Sequence, residues 1–175
     1  GALDNTLVIF MTDNGMNIIE GKKNGKTKPY YTAGLRGKKC TPYEGGTRVP
    51  SFWYWKDVLN EGVDAEQLTA HIDVYKTFCE LAGVTLPSKM QELDGRSLLP
   101  LLENPKVDWE DRHLFVHVGR WEAKHPLAKD IDSAKYVNCA IRTDRWRFVN
   151  NTELYEINID PSETNDVAEQ YPEVI

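Results

Sequence analysis

The sequence predicts an α/β fold that passes into a small antiparallel sheet and then a C-terminal helix. Three observations carry this. Leu7-Val8-Ile9-Phe10-Met11 is a continuous apolar run, the texture of a parallel-sheet strand covered on both faces. Residues 64–82 set Leu68, Ile72, Tyr75, Cys79 and Ala82 at helical spacings of four and three. After Asn104-Pro105 come four short strand-like runs separated by turn dipeptides. The change of texture divides the chain into residues 1–104 and 105–175.

In order, residues 6–12 form the first strand, and Thr12-Asp13-Asn14-Gly15 ends it. Residues 17–34 are polar, rich in Gly and Lys and without period, and read as a loop. Ser51-Phe52-Trp53-Tyr54-Trp55 is aromatic and strand-prone. Its tryptophans fit a packed core better than a ligand platform. In the helix at 64–82, Asp64 and Gln67 resemble a capping box and Gly83 is the stop. A second short helix covers 98–103, its Pro100 tolerated in the first turn. Strands follow at 113–118, 136–142, 145–150 and 153–157, turning at Thr143-Asp144 and Asn150-Asn151. Asp160-Pro161-Ser162-Glu163 opens the final helix, residues 163–170.

The net charge of −6 argues against nucleic acid as a bulk partner. No apolar run of about eighteen residues exists, so no membrane span is expected. The first residues lack the pattern of a signal peptide. Cys40, Cys79 and Cys139 have neither metal-ligand spacing nor a disulfide framework, and Cys79, on an apolar helix face, reads as a core residue.

Against this acidic background, Arg36, Lys38, Lys39 and Arg48 form a basic island that suits a small anion, although a solvated loop has the same composition. Asp13 and Asn14 stand just past a strand end, where open α/β sheets bind ligands. Their hard oxygens suit Ca²⁺ or Mg²⁺, and Gly15 permits the sharp turn; Asn-Gly is equally a common turn dipeptide. The Lys39 ammonium is a compact charge able to hold an oxygen of a tetrahedral anion. Glu44 and Arg48, four apart around Gly45-Gly46, read as an ion pair bracing the loop. His71 near a helix start reads as hydrogen-bonded structure.

The order Asn5-Thr6-Leu7-Val8-Ile9-Phe10-Met11-Thr12-Asp13-Asn14-Gly15, then Leu35-Arg36-Gly37-Lys38-Lys39, then Tyr43-Glu44-Gly45-Gly46-Thr47-Arg48-Val49-Pro50 resembles the downstream half of the sulfatases, in the alkaline-phosphatase-like superfamily. The likeness continues through His71-Ile72-Asp73, Asp94-Gly95-Arg96-Ser97, Ala140-Ile141-Arg142-Thr143 and Leu154-Tyr155 with Asp160-Pro161 and Glu163-Thr164-Asn165, and so covers nearly the whole chain. It implies a partial alkaline-phosphatase-like parallel sheet with helices over 1–104. Asp13 and Asn14 become two ligands of one divalent cation, calcium in most of the family. Lys39 becomes the sulfate contact, with Lys38 as the alternative if the spacing slips by one. Cys40 stands where the family commonly has Gly. Superfamily members that act on phosphate esters tend to carry Asp-His at the strand end, and Asp13-Asn14 favours the one-metal site.

Sulfatases attack through a formylglycine made from Cys or Ser in a Cys/Ser-x-Pro/Ala-x-Arg motif, and no cysteine here has that setting. The resemblance therefore implies a C-terminal portion, inactive alone, whose partner is the N-terminal part of the same enzyme. His117 and Arg120 are candidates for contact with a sulfated small molecule or glycan. Periplasmic or secreted location is expected of the full-length protein, and exposed strand edges favour a homodimer of the fragment. A phosphate- or phosphonate-ester hydrolase of the same superfamily and a non-catalytic binding module are the alternatives.

Overall fold

The computed structural model describes residues 1–17, 22–23, 26–27, 31–85, 87, 93–119 and 134–175. They gather into two compact units, each made from two stretches of chain: Gly1–Met11 with Pro50–Asp111, and Thr12–Val49 with Arg112–Ile175. Among the described residues, no helix is long and apolar enough to cross a membrane.

In the first unit, β1 (Val8–Met11) pairs antiparallel with β4 (Ser51–Tyr54), Val8 facing Tyr54 and Phe10 facing Phe52. This corrects the expectation of a parallel sheet: among the described residues β1 has no parallel neighbour. An apolar run shows that a strand wants cover on both faces, but it does not fix the direction of its partner. Nor is the cover complete. Side chains alternate across a strand, so Val8, Phe10, Phe52 and Tyr54 share one face, and Phe10 and Phe52 are 62% and 64% exposed.

Helix α2 runs Ile72–Leu81, eight residues shorter at its start than the periodicity predicts. Asp73 sets the start in place of Asp64. Its carboxylate accepts the Ala70 N–H at 2.7 Å and the Arg96 N–H at 2.9 Å. At the other end Gly83 has φ +63, its N–H donates to the Glu80 carbonyl and the Val84 N–H donates to that of Cys79. These two bonds make a Schellman stop, as the glycine predicts. A short helix follows, α3 (Leu99–Glu103), with Pro100 in its first turn. The Thr77 hydroxyl donates to the Asp73 carbonyl at 2.7 Å and accepts the Leu98 N–H at 2.9 Å. A Cβ on Gly95 would sit 2.0 Å from the Ile72 carbonyl oxygen. His71-Ile72-Asp73 and Asp94-Gly95-Arg96-Ser97 therefore meet as one structural joint.

The second unit is built on an antiparallel sheet of β5 (Leu114–His117), β6 (Cys139–Arg142), β7 (Trp146–Val149) and β8 (Glu153–Glu156), in that order. Asn150 and Asn151, at φ +51 and +60, close the last hairpin, and the Thr152 N–H donates to the Val149 carbonyl at 3.0 Å. Two left-handed residues suit the twist of the strands they join. Ala140, Val149, Tyr155 and Ile157 form the core, with Tyr43 and Val116 packed on it. Within residues 17–34, read as loop, β2 (Lys22–Lys23) pairs with β3 (Lys26–Thr27); the remaining loop calls at 18–21, 24–25 and 28–30 lie outside the described residues.

The expected C-terminal helix is also corrected, since residues 163–170 form turns. Glu163 adopts φ +53, which a helix excludes. The Asp160 carboxylate instead caps a turn, taking the Thr164 and Asn165 N–H groups, each at 2.8 Å. The tail then lies along β8: the Val167 N–H donates to the Leu154 carbonyl at 2.9 Å and the Leu154 N–H to Asp166 Oδ1 at 3.0 Å. These two bonds cap hydrogen-bonding groups on β8 that an edge strand would otherwise leave open.

Candidate functional site

The site is built in the second unit, on three glycines. Glu44–Thr47 make a single helical turn, α1, and at its centre Gly46 accepts the Gly15 N–H at 2.9 Å. Gly45 donates to the Arg36 carbonyl at 2.7 Å, and the Lys39 N–H donates to the Met16 carbonyl at 2.9 Å. A Cβ on Gly15 would lie 1.9 Å from the Gly45 oxygen, and one on Gly46 would lie 2.3 Å from the Thr41 oxygen. Backbone meets backbone here with no room for a side chain. The segment holding Asp13 and Asn14 is thus seated on the loop holding Lys39 through main-chain bonds on both sides.

Glu44 anchors that loop to the sheet. It is 2% exposed, and its carboxylate accepts from Arg147 Nη2 at 2.6 Å, Arg147 Nε at 3.1 Å, Arg142 Nε at 3.2 Å and Arg48 Nη1 at 3.3 Å. The Arg48 bond is the brace expected from the four-residue spacing. Burial pushes the Glu44 carboxyl up, but Arg147 and Arg142 outweigh it and hold the group below the usual carboxylate range. The Glu44 N–H donates to Glu163 Oε2 at 2.9 Å.

Arg36 makes a second anchor. Its Nη1 donates to Glu153 Oε2 at 2.9 Å and to the Tyr155 hydroxyl at 2.5 Å, while Nη2 donates to the Tyr43 hydroxyl at 3.1 Å. The guanidinium also lies 4.0 Å from the Tyr43 ring centre, a cation–π contact. Burial and the neighbouring Glu153 carboxylate push the Tyr155 hydroxyl well above its ordinary range.

The basic island therefore sorts into two kinds of residue. Arg36 and Arg48 are bound to acids, whereas no ion pair among the described residues engages Lys38 or Lys39. Lys39 is half-buried, Asp13 exposed and Asn14 half-buried. The Thr12 hydroxyl donates to the Asn14 carbonyl at 3.3 Å. A carboxylate and an amide on adjacent residues fit a hard cation in donor chemistry. Among the described residues no group of three or more His, Cys, Asp or Glu forms a metal cluster.

His117 ends β5, away from these contacts in sequence and already engaged. Its Nδ1 accepts the Gly119 N–H at 3.0 Å, which makes Nε2 the donor to the Ala134 carbonyl at 3.2 Å. Arg120 lies outside the described residues. Sequence reasoning missed Arg147, Glu153 and the network role of Arg142 and Glu163. One signal was available. The β6–β7 hairpin sets Arg142 directly opposite Arg147, and like charges facing each other call for an acid between them.

A family model described as N-sulphoglucosamine sulphohydrolase, C-terminal, matches residues 36–174. A sulfatase of Formosa agariphila is 31% identical over 98% of this chain and 30% of its own length. The steryl-sulfatase of Rattus norvegicus is 35% identical over 69% of this chain and 21% of its own length. The crystal structure of Ps i-CgsB in complex with k-i-k-neocarrahexaose superposes with a TM-score of 0.67 at 31% identity, covering 98% of this chain and 34% of that one. The chain spans about a third or less of the length of the curated relatives it matches.

Proposed function

The chain belongs to the sulfatases, through the family described as N-sulphoglucosamine sulphohydrolase, C-terminal, and from that premise we propose that it is the C-terminal part of a sulfuric ester hydrolase. In the full-length enzyme residues 1–104 continue the catalytic α/β domain and 105–175 form the C-terminal subdomain, whose sheet holds the loop of the first. Asp13 and Asn14 supply two ligands of a divalent cation: their hard oxygens suit Ca²⁺ or Mg²⁺, and the family resemblance favours calcium. That cation, when bound, supplies positive charge toward the sulfate oxygens. The Lys39 ammonium holds a non-bridging sulfate oxygen and offsets the charge that develops as the ester bond breaks. The nucleophile, a formylglycine, belongs to the part of the enzyme outside this chain.

One observation carries the reading. The Gly15–Gly46 and Lys39–Met16 main-chain bonds join the segment that follows Asp13-Asn14 to the loop that carries Lys39, and Lys39 has no ion-pair partner among the described residues, which supports the reading. We propose a sulfated glycan as the substrate class. Its support is the saccharide-bound neighbour, whose likeness spans 98% of the chain at 31% identity. His117 and Arg120 are proposed contacts on the sugar side. The test uses the full-length enzyme with para-nitrophenyl sulfate and with sulfated oligosaccharides. Asp13→Ala and Lys39→Ala should each lower kcat/KM by at least about a hundredfold, and Asp13→Ala should also weaken calcium binding. The chain of residues 1–175 alone should turn over no sulfate ester. Near-normal kinetics in both variants would remove this function.

A further inference from the structure

The anchors described above do more than hold the chain together. Arg147 is 2% exposed and reaches three positions along the loop. Its Nη1 donates to the Pro42 carbonyl, its Nε and Nη2 to Glu44 Oε1 at 3.1 and 2.6 Å, and Nη2 again to Thr47 Oγ1 at 3.0 Å. Pro42 lies before α1, Glu44 is its first residue and Thr47 its last. One rigid guanidinium from β7 therefore fixes both ends of the helical turn whose middle, Gly45-Gly46, touches Arg36 on one side and Gly15 on the other. Any tilt of α1 moves the Gly15 seat and so changes the spacing between Asp13-Asn14 and Lys39.

We propose that Arg147 is a positioning residue for catalysis: it sets the distance between the cation-binding dipeptide and the sulfate-binding lysine without touching either ligand. The inference rests on the functional reading given above. The chemistry of the side chain supports it. A planar fork spans three acceptors at fixed angles, and a lysine, with one compact ammonium, does not reproduce that span. Arg48 binds the same Glu44 carboxylate from an exposed position, with its side chain 59% accessible, and supplies the contrast. If Glu44 needed only neutralising charge, the two arginines would matter alike.

The experiment compares Arg147→Lys and Arg48→Ala with the parent in the full-length enzyme, per mole of folded protein. Para-nitrophenyl sulfate kinetics and direct calcium titration are the readouts. Arg147→Lys should lower kcat/KM by about 10- to 100-fold and weaken calcium binding by about tenfold, the usual range for a supporting residue of a metal site. Arg48→Ala should change both by less than about twofold. If Arg147→Lys does not fold, Thr47→Val removes the 3.0 Å bond from Arg147, together with the 3.2 Å bond from the Thr47 hydroxyl to the Tyr43 carbonyl, and should give about a threefold loss in kcat/KM. Parent-like kinetics and calcium affinity in Arg147→Lys, or in Thr47→Val where it is the variant used, would overturn the positioning role provided Asp13→Ala and Lys39→Ala remain crippled. If those two are also unaffected, the functional reading itself is wrong and the positioning role falls with it.

Discussion

Glu163 holds the Glu44 N–H with one oxygen, while its other oxygen lies 3.6 Å from Arg147 Nε and accepts no hydrogen bond among the described residues. Burial, reinforced by the nearby Glu44 charge and only partly opposed by the Glu44 N–H and Arg147, pushes this carboxyl up to about 7. The folded state then keeps a proton that the unfolded chain releases near the ordinary carboxylate value. Its contribution to stability is full below that ordinary value and is lost as pH rises through about 7. Glu44 acts in the opposite sense, because its arginines depress it: its contribution is present above the ordinary value and lost on acidification. Urea denaturation of the chain should give greatest stability in mildly acidic buffer, with a decline from about pH 5 to 8. Glu163→Gln should flatten that alkaline decline and leave the acid side unchanged; an unaltered profile would assign the titration elsewhere. The residue scale was only partly legible in sequence. The Glu44–Arg48 brace follows from spacing, but apart from Tyr43 the partners of Arg36, namely Glu153, Tyr155 and the Glu163 carbonyl, lie over a hundred positions away. Cys40 was marked as standing where a glycine is expected, and its φ of +66 gives the physical reason.

At the scale of elements, most strands and the helices α2 and α3 could be placed from period and turn chemistry, because those signals are local. The hairpin at Asn150-Asn151 and the stop at Gly83 are read directly from residues that tolerate positive φ. The misplaced start of α2 and the absent final helix have a common cause. In each, an aspartate used its carboxylate on distant or out-of-phase N–H groups, and periodicity does not register that. Asp73 is fully buried and serves as the single acceptor joining the Ala70 and Arg96 N–H groups. Asp73→Ala leaves both donors without that partner and should cost about 2–4 kcal/mol, measured as a lowered urea midpoint. A shift below about 0.5 kcal/mol would show that the joint is held by its apolar contacts alone.

For the whole molecule, the apolar face of β1 and β4 is the main departure from a self-sufficient chain. Val8, Phe10, Phe52 and Tyr54 lie exposed together, and the rings of Phe10 and Phe52 are 6.2 Å apart. Such a face favours self-association. Sedimentation velocity on residues 1–175 should show concentration-dependent association that Phe52→Lys abolishes; a monomer at every concentration would mean that the face is covered within the chain. Sequence reasoning identified the apolar run but took its cover for granted, since pattern shows the need for a partner and not its presence. The loop's long-range anchors also bear on biosynthesis. Arg36 waits for Glu153 and Glu44 for Arg147, closures of 117 and 103 positions. Ribosomes extend chains from the N-terminus, so a nascent polypeptide carries Lys39 long before anything exists to hold it in place. A premature stop ahead of position 147 would yield a product with every proposed ligand-binding residue intact and no means of setting their geometry.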